Sequence, residues 1–465
     1  MLFSSLTFLS FFLPLFLLLY FLVPGIKAKN GVLFVMSIFF YAWGEPVYVF
    51  LMLLILGINY FAAILIGSSL KRKKGWLILA LCVDVLTLIF YKYAAFLIRS
   101  AEALAGIGLS APDIVLPIGI SFYMFQIIAY LVDVYRGKTP PLSDFVALGA
   151  FLAAFPQLIA GPIVRYTDIE KELTERKQSA SDIEQGAMRF IVGLSKKVLI
   201  ANRMAAVADA LFAVAPDRLG FLGAWIAAFS YTLQIYYDFS GYSDMAIGLG
   251  RIMGFHYPEN FDHPYAAKSI GDFWKRWHMT LTAFFREYVY IPLGGNRVSR
   301  LRWAGNMLFV WCLTGIWHGA GFNFICWGLY YGLLLLAERL LFPKFSEKHP
   351  FFSHAATMIL VTTGWILFRS DSLRNAYFML KGMTGLFGFV PEHFAGTLLK
   401  AGFGTVYAAA ALAGVFFSIP HPTLSRGALS FGKGVPLKAG LIILLLLDYA
   451  SLASGAYNPF IYFRF

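Results

Sequence analysis

The sequence predicts an all-α polytopic membrane protein, and its composition is the main reason. Hydrophobic residues make up 59% of the 465 residues, charged residues only 14%, and the mean hydropathy is +0.70. Soluble domains carry about 25% charged residues, so most of this chain is unsuited to water. Apolar segments recur from end to end, which indicates many membrane spans rather than one anchor on a soluble domain.

The individual spans follow from the apolar segments, because about 20 apolar residues cross a bilayer as a helix. We expect roughly 11–12 transmembrane helices on this length criterion. The predicted spans are 6–23, 32–43, 47–67, 76–98, 116–134, 145–164, 187–213, 221–239, 307–337, 356–368, 397–417 and 437–452.

We predict one membrane-embedded domain over residues 1–465, with N-terminal spans at 1–110, a core at 114–340 and C-terminal spans at 350–465. The net charge is +13, and basic residues cluster in short loops such as the one at 71–74. In a membrane protein such clusters mark cytoplasmic loops, so we expect no nucleic-acid partner.

Two segments depart from a plain span. The segment 145–164 contains Pro156, Gly161 and Pro162, which predicts a broken, re-entrant element enclosed by protein. Segment 271–290 predicts one amphipathic helix with two stripes. The apolar stripe comprises Phe273, Trp274, Trp277, Leu281, Phe284, Phe285 and Tyr288, and the polar stripe comprises Lys275, His278, Thr282 and Arg286.

His318 is the leading candidate for chemistry, because an ionisable group in an apolar segment costs free energy and by default faces a cavity. It lies in an uncharged run, 307–337, that would be about 46 Å long as one helix, against about 30 Å for the hydrocarbon core. Gly315, Gly319 and Gly321 flank it, which predicts a helix break beside the histidine. The alternative is a neutral imidazole that only packs against a neighbouring helix.

His278 is the second candidate, because imidazole suits general acid–base work near neutral pH. Its alternative is an interfacial histidine on the polar stripe of the predicted helix. A metal site is a third use for two histidines. The nearby side chains that could bind a metal show no short ligand spacing, so we predict no metal site. They are Asp238, Asp244, His256, Asp262 and His263.

The stretch YYDFSGYSD (236–244) places two carboxylates and two serine hydroxyls at the end of the predicted span 221–239. Ser, Asp and Gly are typical of helix caps and turns. The same residues, Asp238 and Ser240 among them, would equally form a polar wall for a substrate path. The sequence leaves both interpretations open.

Several long motifs occur along the chain. They are LPIGISFYMFQ (116–126), PQLIAGPIVRY (156–166), YYDFSGYSDMAIGLGRIMGF (236–255), PENFDHPY (258–265), DFWKRWHMTL (272–281), FFREYVYIPLGGNR (284–297) and TGIWHGAGFNFICWG (314–328). Together these motifs resemble the membrane-bound O-acyltransferase (MBOAT) family, in its bacterial branch of alginate O-acetylation (AlgI) and teichoic-acid D-alanylation (DltB) proteins. The segments MLFSS, GWILFRSDSLRNA and FIYFRF resemble the alginate side of the branch.

The resemblance implies a ring of membrane helices around a tunnel, and an acyltransferase with no bound cofactor that uses acetyl-CoA or another acyl thioester as donor. His318 and His278 match the two polar positions of the family pattern, with His318 as general base. Trp274, Arg276 and Trp277 would help His278 to orient the donor or stabilise the oxyanion. Further candidates for substrate or donor binding are Asp238, Ser240, Arg286 and Asn323.

The resemblance also implies a setting: the bacterial cytoplasmic membrane, with membrane lipids around the chain. The partner would be an extracytoplasmic acetyltransferase of the SGNH or serine-hydrolase type, which places the acetyl group on a polysaccharide or cell-wall polymer. Two alternatives stay open. One is D-alanyl transfer to teichoic acid from a carrier protein, and the other is a transporter or flippase of a lipid-linked glycan.

Overall fold

The computed structural model describes residues 1–69, 71–106, 108, 111–342, 345–389, 394–420 and 435–461. Within these residues every regular element is a helix, which confirms the predicted all-α class. The ring of helices around a tunnel stays a prediction. Residues 462–465, which complete the FIYFRF segment, lie outside the described residues.

The chain forms two compact units. The first unit contains Met1–Phe190 and Met245–Pro258, and the second contains Ile191–Asp244 and Glu259–Phe465. Helices α10 (Ala180–Ser195) and α12 (Gly220–Met253) contribute residues to both units. The division of one domain into segments 1–110, 114–340 and 350–465 stays a prediction.

Besides parts of α10 and α12, the first unit contains, among its described residues, the nine N-terminal α-helices. They are α1 (Leu13–Leu22), α2 (Ile26–Gly44), α3 (Tyr48–Ser68), α4 (Lys73–Leu88), α5 (Ala94–Ala105), α6 (Ile120–Tyr135), α7 (Phe145–Leu152), α8 (Phe155–Leu158) and α9 (Tyr166–Glu175). π-helical turns precede α1 at Phe8–Phe12 and join α4 to α5 at Ile89–Tyr93. The predicted break in segment 145–164 is confirmed, since α7 ends at Leu152 and only the four-residue α8 follows.

The second unit holds the remaining helices. They are α11 (Asn202–Phe212), α13 (Ile270–Arg276), α14 (Met279–Phe285), α15 (Arg300–His318), α16 (Phe322–Leu341), α17 (Phe345–Lys348), α18 (Pro350–Arg369), α19 (Leu373–Met383), α20 (Phe394–Lys400), α21 (Thr405–Ser418) and α22 (Val435–Ala453). Short helical turns lie at Lys196–Ala201, Pro216–Arg218, Pro264–Ala266 and Arg286–Tyr290. The prediction of one span at 397–417 is wrong, because α20 and α21 divide it.

Among the residues that the structure describes, five helices are long and apolar enough to cross a membrane. They are Tyr48–Ser68, Lys73–Ala105, Phe322–Leu341, Pro350–Arg369 and Pro436–Ala453. Only 11% of the Pro436–Ala453 window is buried within the protein. Apolar side chains therefore cover its outer surface, as contact with lipid requires. Together with the composition, these helices identify a multi-pass membrane protein.

Helix α12 corrects one prediction. The stretch 236–244 does not end a span, because it lies inside the continuous helix Gly220–Met253. Its Gly241 allows close packing, since a Cβ atom there would lie 2.7 Å from the carbonyl oxygen of Gly193. Gly241 therefore packs against Gly193 of α10, and the stretch 236–244 caps no helix end.

Segment 271–290 corrects another prediction, because it is not one helix. Helix α13 ends at Arg276, and α14 begins at Met279. His278 between them adopts a left-handed backbone, with φ of 43°. Its side chain is 1% exposed, so the interpretation of His278 as a histidine on a polar stripe is wrong. Burial of this turn outweighs the helical periodicity of the local sequence.

Helices α15 and α16 form a tight hairpin. The predicted break is confirmed, since α15 ends at His318 and α16 begins at Phe322, with Gly319 and Gly321 extended between them. The two helices cross at Gly315 and Gly328. A Cβ atom on Gly328 would lie 2.2 Å from the carbonyl oxygen of Trp311, so only glycine fits this crossing.

Candidate active site

His318 lines a small cavity in the second unit. The residue ends α15, and its side chain is 8% exposed. The cavity has a volume of about 20 Å³. Its lining is aromatic and aliphatic apart from the histidine. The lining residues are Ile235, Phe239, Trp277, His318, Trp327, Trp365, Phe368 and Ile461.

Three aromatic rings hold the His318 imidazole. The ring centroids of Trp317, Trp327 and Phe368 lie 4.8, 4.9 and 5.1 Å from the centroid of the imidazole. Their planes stand at 73° to 83° to it, the edge-to-face geometry that aromatic rings favour. Within the described part of the chain, the buried Nε1 of Trp327 has no hydrogen-bond partner. A hydrogen-bond donor is thus available on a residue that lines the cavity.

His278 joins the same aromatic cluster. Its imidazole centroid lies 4.6 Å from the ring of Phe239, a cavity residue, and 6.0 Å from Trp317. Trp317 in turn contacts His318 at 4.8 Å. The fold therefore brings the two candidate histidines, 40 residues apart in the sequence, to one indole ring.

Asn260 fixes the protonation pattern of His278. The Nδ1 atom of His278 lies 3.0 Å from Asn260 Oδ1, which also accepts a hydrogen bond from Thr280 Oγ1 at 2.9 Å. The Asn260 Nδ2 atom donates to Ser243 Oγ at 3.1 Å, which orients the amide. An amide oxygen only accepts, so Nδ1 carries the proton, and Nε2 of the neutral ring is an acceptor. Among the residues described, nothing hydrogen-bonds to this buried Nε2.

The tryptophans and the arginine around His278 have different surroundings. Trp277 lines the cavity and packs 4.7 Å from Trp365. Trp274 is buried but does not line the cavity, and its ring centroid lies 4.6 Å from that of Trp311. The guanidinium of Arg276 lies 2.9 Å from Asp272 Oδ1. Of these three candidates, only Trp277 reaches the cavity with His318.

Asp238 contacts the C-terminal part of the chain. Its carboxylate forms a buried ion pair with Lys197 and accepts a hydrogen bond at 2.9 Å from the backbone nitrogen of Ile461. Ile461 lines the cavity, so Asp238 supports a cavity wall. Ser240 is buried, and its Oγ atom has no hydrogen-bond partner in the described residues.

The two remaining candidates do not line the cavity. Asn323 is buried near the start of α16 and donates through Nδ2 to the carbonyl oxygen of Ser370 at 3.0 Å. Arg286 is exposed at the start of a π-helical turn. No group of three or more His, Cys, Asp or Glu side chains able to hold a metal ion occurs in the described ranges.

Sequence analysis missed several residues of this site. Asn260 was available within the PENFDHPY motif, where a buried amide two residues after a proline gives a weak signal. Trp327 lies on the hairpin of His318, nine residues further on. Ile461 lies in the FIYFRF segment, but nothing in that segment indicated a cavity wall, because only the folded chain brings Ile461 to the cavity.

Comparison with known proteins decides the family. The pattern of the "MBOAT, membrane-bound O-acyltransferase family" matches residues 136–370, which include both histidines. This chain belongs to the membrane-bound O-acyltransferase family. The resemblance seen in the motifs is therefore confirmed, and so is the expectation of an acyltransferase. Membership favours an enzyme over the transporter alternative.

Three relatives carry names that bear on the reaction. The chain is 42% identical to the Pseudomonas aeruginosa protein named "Probable alginate O-acetylase AlgI", over 82% of this chain and 75% of that protein. It is 37% identical to the "Peptidoglycan O-acetyltransferase" of Helicobacter pylori, over 83% and 80%. It is 28% identical to the "Teichoic acid D-alanyltransferase" of Bacillus subtilis, over 50% and 61%.

Proposed function

We propose that this membrane O-acyltransferase moves an acetyl group from a cytoplasmic thioester, acetyl-CoA, across the membrane for O-acetylation of an extracytoplasmic polysaccharide or cell-wall polymer. The observation that carries the proposal is the buried cavity of His318, next to the indole that also contacts His278. The names of the P. aeruginosa and H. pylori relatives support acetyl transfer to a polymer.

In the proposed reaction His318 is the general base. It takes the proton from an acceptor hydroxyl as the hydroxyl oxygen attacks the thioester carbonyl. The new C–O bond forms, the C–S bond breaks, and the protonated imidazole returns its proton to the leaving thiolate. General-base assistance contributes roughly 10²–10⁴-fold in rate.

The neighbouring groups have complementary roles in this proposal. Nε2 of His278 is an acceptor, so it orients an N–H or O–H group of a substrate. The indole N–H of Trp327 is a donor without a partner among the described residues, so it suits the carbonyl oxygen as negative charge develops there. Removing one such donor from an oxyanion site typically costs 10²–10³-fold in rate.

The test replaces His318 with Ala in the full chain. Membranes with equal amounts of protein are given labelled acetyl-CoA, and the O-acetyl content of the envelope polymer is measured. We expect a loss of about 10²–10⁴-fold. His354→Ala is the matched control, because His354 belongs to the same unit but bonds the backbone oxygen of Ala267 at 3.0 Å and does not line the cavity. Normal acetylation by the His318 variant would disprove the proposed base.

We propose the bacterial cytoplasmic membrane as the location and a serine-hydrolase-type acetyltransferase as the extracytoplasmic partner. The chain itself would hold no cofactor. Membrane vesicles prepared with and without a candidate partner distinguish two steps. One is the export of the acetyl group by this protein, and the other is its transfer to the polymer by the partner. The partner should be needed for polymer acetylation, whereas thioester turnover without the partner requires water or another hydroxyl group to accept the acetyl group.

D-alanyl transfer is the second candidate, because the B. subtilis relative carries that name. Its donor would be a D-alanyl carrier protein. Supplying labelled acetyl-CoA and the labelled carrier in parallel distinguishes the two reactions. Transfer from the carrier protein alone would identify D-alanylation, and not acetylation, as the function.

A further inference from the structure

The cavity beside His318 is small enough to restrict the acyl group. Its volume is about 20 Å³. A cavity of about 10–15 Å³ is large enough for one water molecule. The cavity thus accepts a group about the size of a methyl, and a longer acyl chain requires a wall to move.

Ile461 forms one wall, and two buried charges hold its backbone. Asp238 accepts a hydrogen bond from the Ile461 nitrogen at 2.9 Å, and Lys197 Nζ donates to the carbonyl oxygen of Pro459. Lys197 and Asp238 also form an ion pair with each other, and both side chains are buried. Each charge therefore neutralises the other and fixes one backbone group of the same short segment.

The residues on either side are held as well. Asn202 Nδ2 donates to Asn458 Oδ1 at 3.1 Å. The ring of Phe460 packs 5.2 Å from that of Tyr242. Four consecutive residues, 458–461, thus each have a contact of their own. A segment held at every residue cannot move aside for a longer substrate without losing buried contacts.

We infer that Ile461, held in place by Lys197 and Asp238, is a specificity-determining residue that limits the transferred acyl group to two carbons. This inference rests on the proposed function. Close-packed protein interiors do not absorb extra methylene groups freely. A hydrophobic pocket discriminates against one added methylene by about 10–200-fold.

The experiment replaces Ile461 with Ala in the full chain and supplies acetyl-, propionyl- and butyryl-CoA separately. We expect the preference of the wild type for acetyl over propionyl to fall by about tenfold or more in the variant. The acetyl-over-propionyl preference of the Ile461→Val variant should lie between those of the wild type and of the Ile461→Ala variant. The control is Ile200→Ala, since Ile200 is equally a buried isoleucine of the second unit but does not line the cavity.

A second variant tests whether Lys197 and Asp238 hold Ile461 in place. Lys197→Met combined with Asp238→Leu removes both charges together, which often preserves folding of a buried pair. It also removes both contacts to 459–461, so we expect the same loss of acyl preference as in Ile461→Ala. A merely structural role would change protein abundance and leave the preference intact.

The outcomes separate the two claims. Wild-type protein that uses none of the three thioesters contradicts the proposed function, and the inference with it. Wild-type acetyl transfer together with an Ile461→Ala variant of unchanged acyl preference leaves the function standing and overturns the inference alone.

Discussion

The crossing of α15 and α16 controls the distance between His318 and Trp327, and Gly328→Ala perturbs it with a single methyl group. The added Cβ would lie 2.2 Å from the carbonyl oxygen of Trp311 and 3.1 Å from Cα of Gly315. Close carbon–oxygen contacts in proteins lie at about 3.3–3.6 Å. The two helices must therefore separate by about 1 Å.

This separation has two expected magnitudes. Forcing an extra methyl into a packed interface lowers the free energy of unfolding by about 1–3 kcal/mol. A catalytic group misplaced by about 1 Å loses on the order of 10²-fold in rate. Because His318 ends α15 and Trp327 precedes Gly328 on α16, the shift acts directly on both cavity residues.

The assay measures acetyl transfer from acetyl-CoA and thermal unfolding in the same detergent. Gly305→Ala is the control, because Gly305 lies on α15 and a Cβ there meets no atom within 4 Å. The control should be as active as the wild type and up to about 1 kcal/mol more stable, from helix propensity. Equal transfer rates for Gly328→Ala and Gly305→Ala would refute the reasoning.

Three further predictions concern other contacts. Asn260→Ala removes the hydrogen-bond acceptor that orients His278. The rate of acetyl transfer should therefore fall by on the order of 10²-fold at normal protein abundance. A wild-type rate would show that Asn260 does not position His278 for the reaction. Lys197→Met leaves Asp238 buried and unpaired, so the free energy of unfolding should drop by about 3–5 kcal/mol; an unchanged melting temperature would contradict this. Asp182 accepts a hydrogen bond from Ser179, which lowers the carboxyl pKa from 3.8, with Arg251 adding to the effect. Asp182→Asn should therefore destabilise the protein by up to about 1 kcal/mol at neutral pH. In thermal unfolding the difference should shrink as pH falls below 3.8 and be lost below the lowered pKa of the folded protein.

The break at His318 could be predicted because its causes are local. The uncharged run 307–337 is too long for one span, and glycines lie where the chain must turn. Neither fact depends on distant residues. The break at Phe145–Val164 was predictable for the same reason, since prolines interrupt a helix wherever they occur in its interior.

The break at His278 could not be predicted in this way. The sequence from 271 to 290 has regular apolar spacing, which a single helix would satisfy. The turn depends instead on Asn260, which binds both the His278 side chain and the backbone nitrogen of Met279. Likewise the Ser, Asp and Gly residues of 236–244 look like caps until the contact between Gly241 and Gly193 is seen. Long-range contacts outweigh local propensity at both places.

The position of Ile461 in the chain has a consequence for biosynthesis. The other described residues that line the cavity lie between 235 and 368. A ribosome adds about 5–20 residues per second, so the cavity lacks one wall for roughly 5–20 s after Phe368 is made. During that time the proposed base and its aromatic neighbours are already in the chain, while the wall that Ile461 supplies is still missing. The acyl selectivity that we infer is thus acquired later in synthesis than the side chains proposed for catalysis.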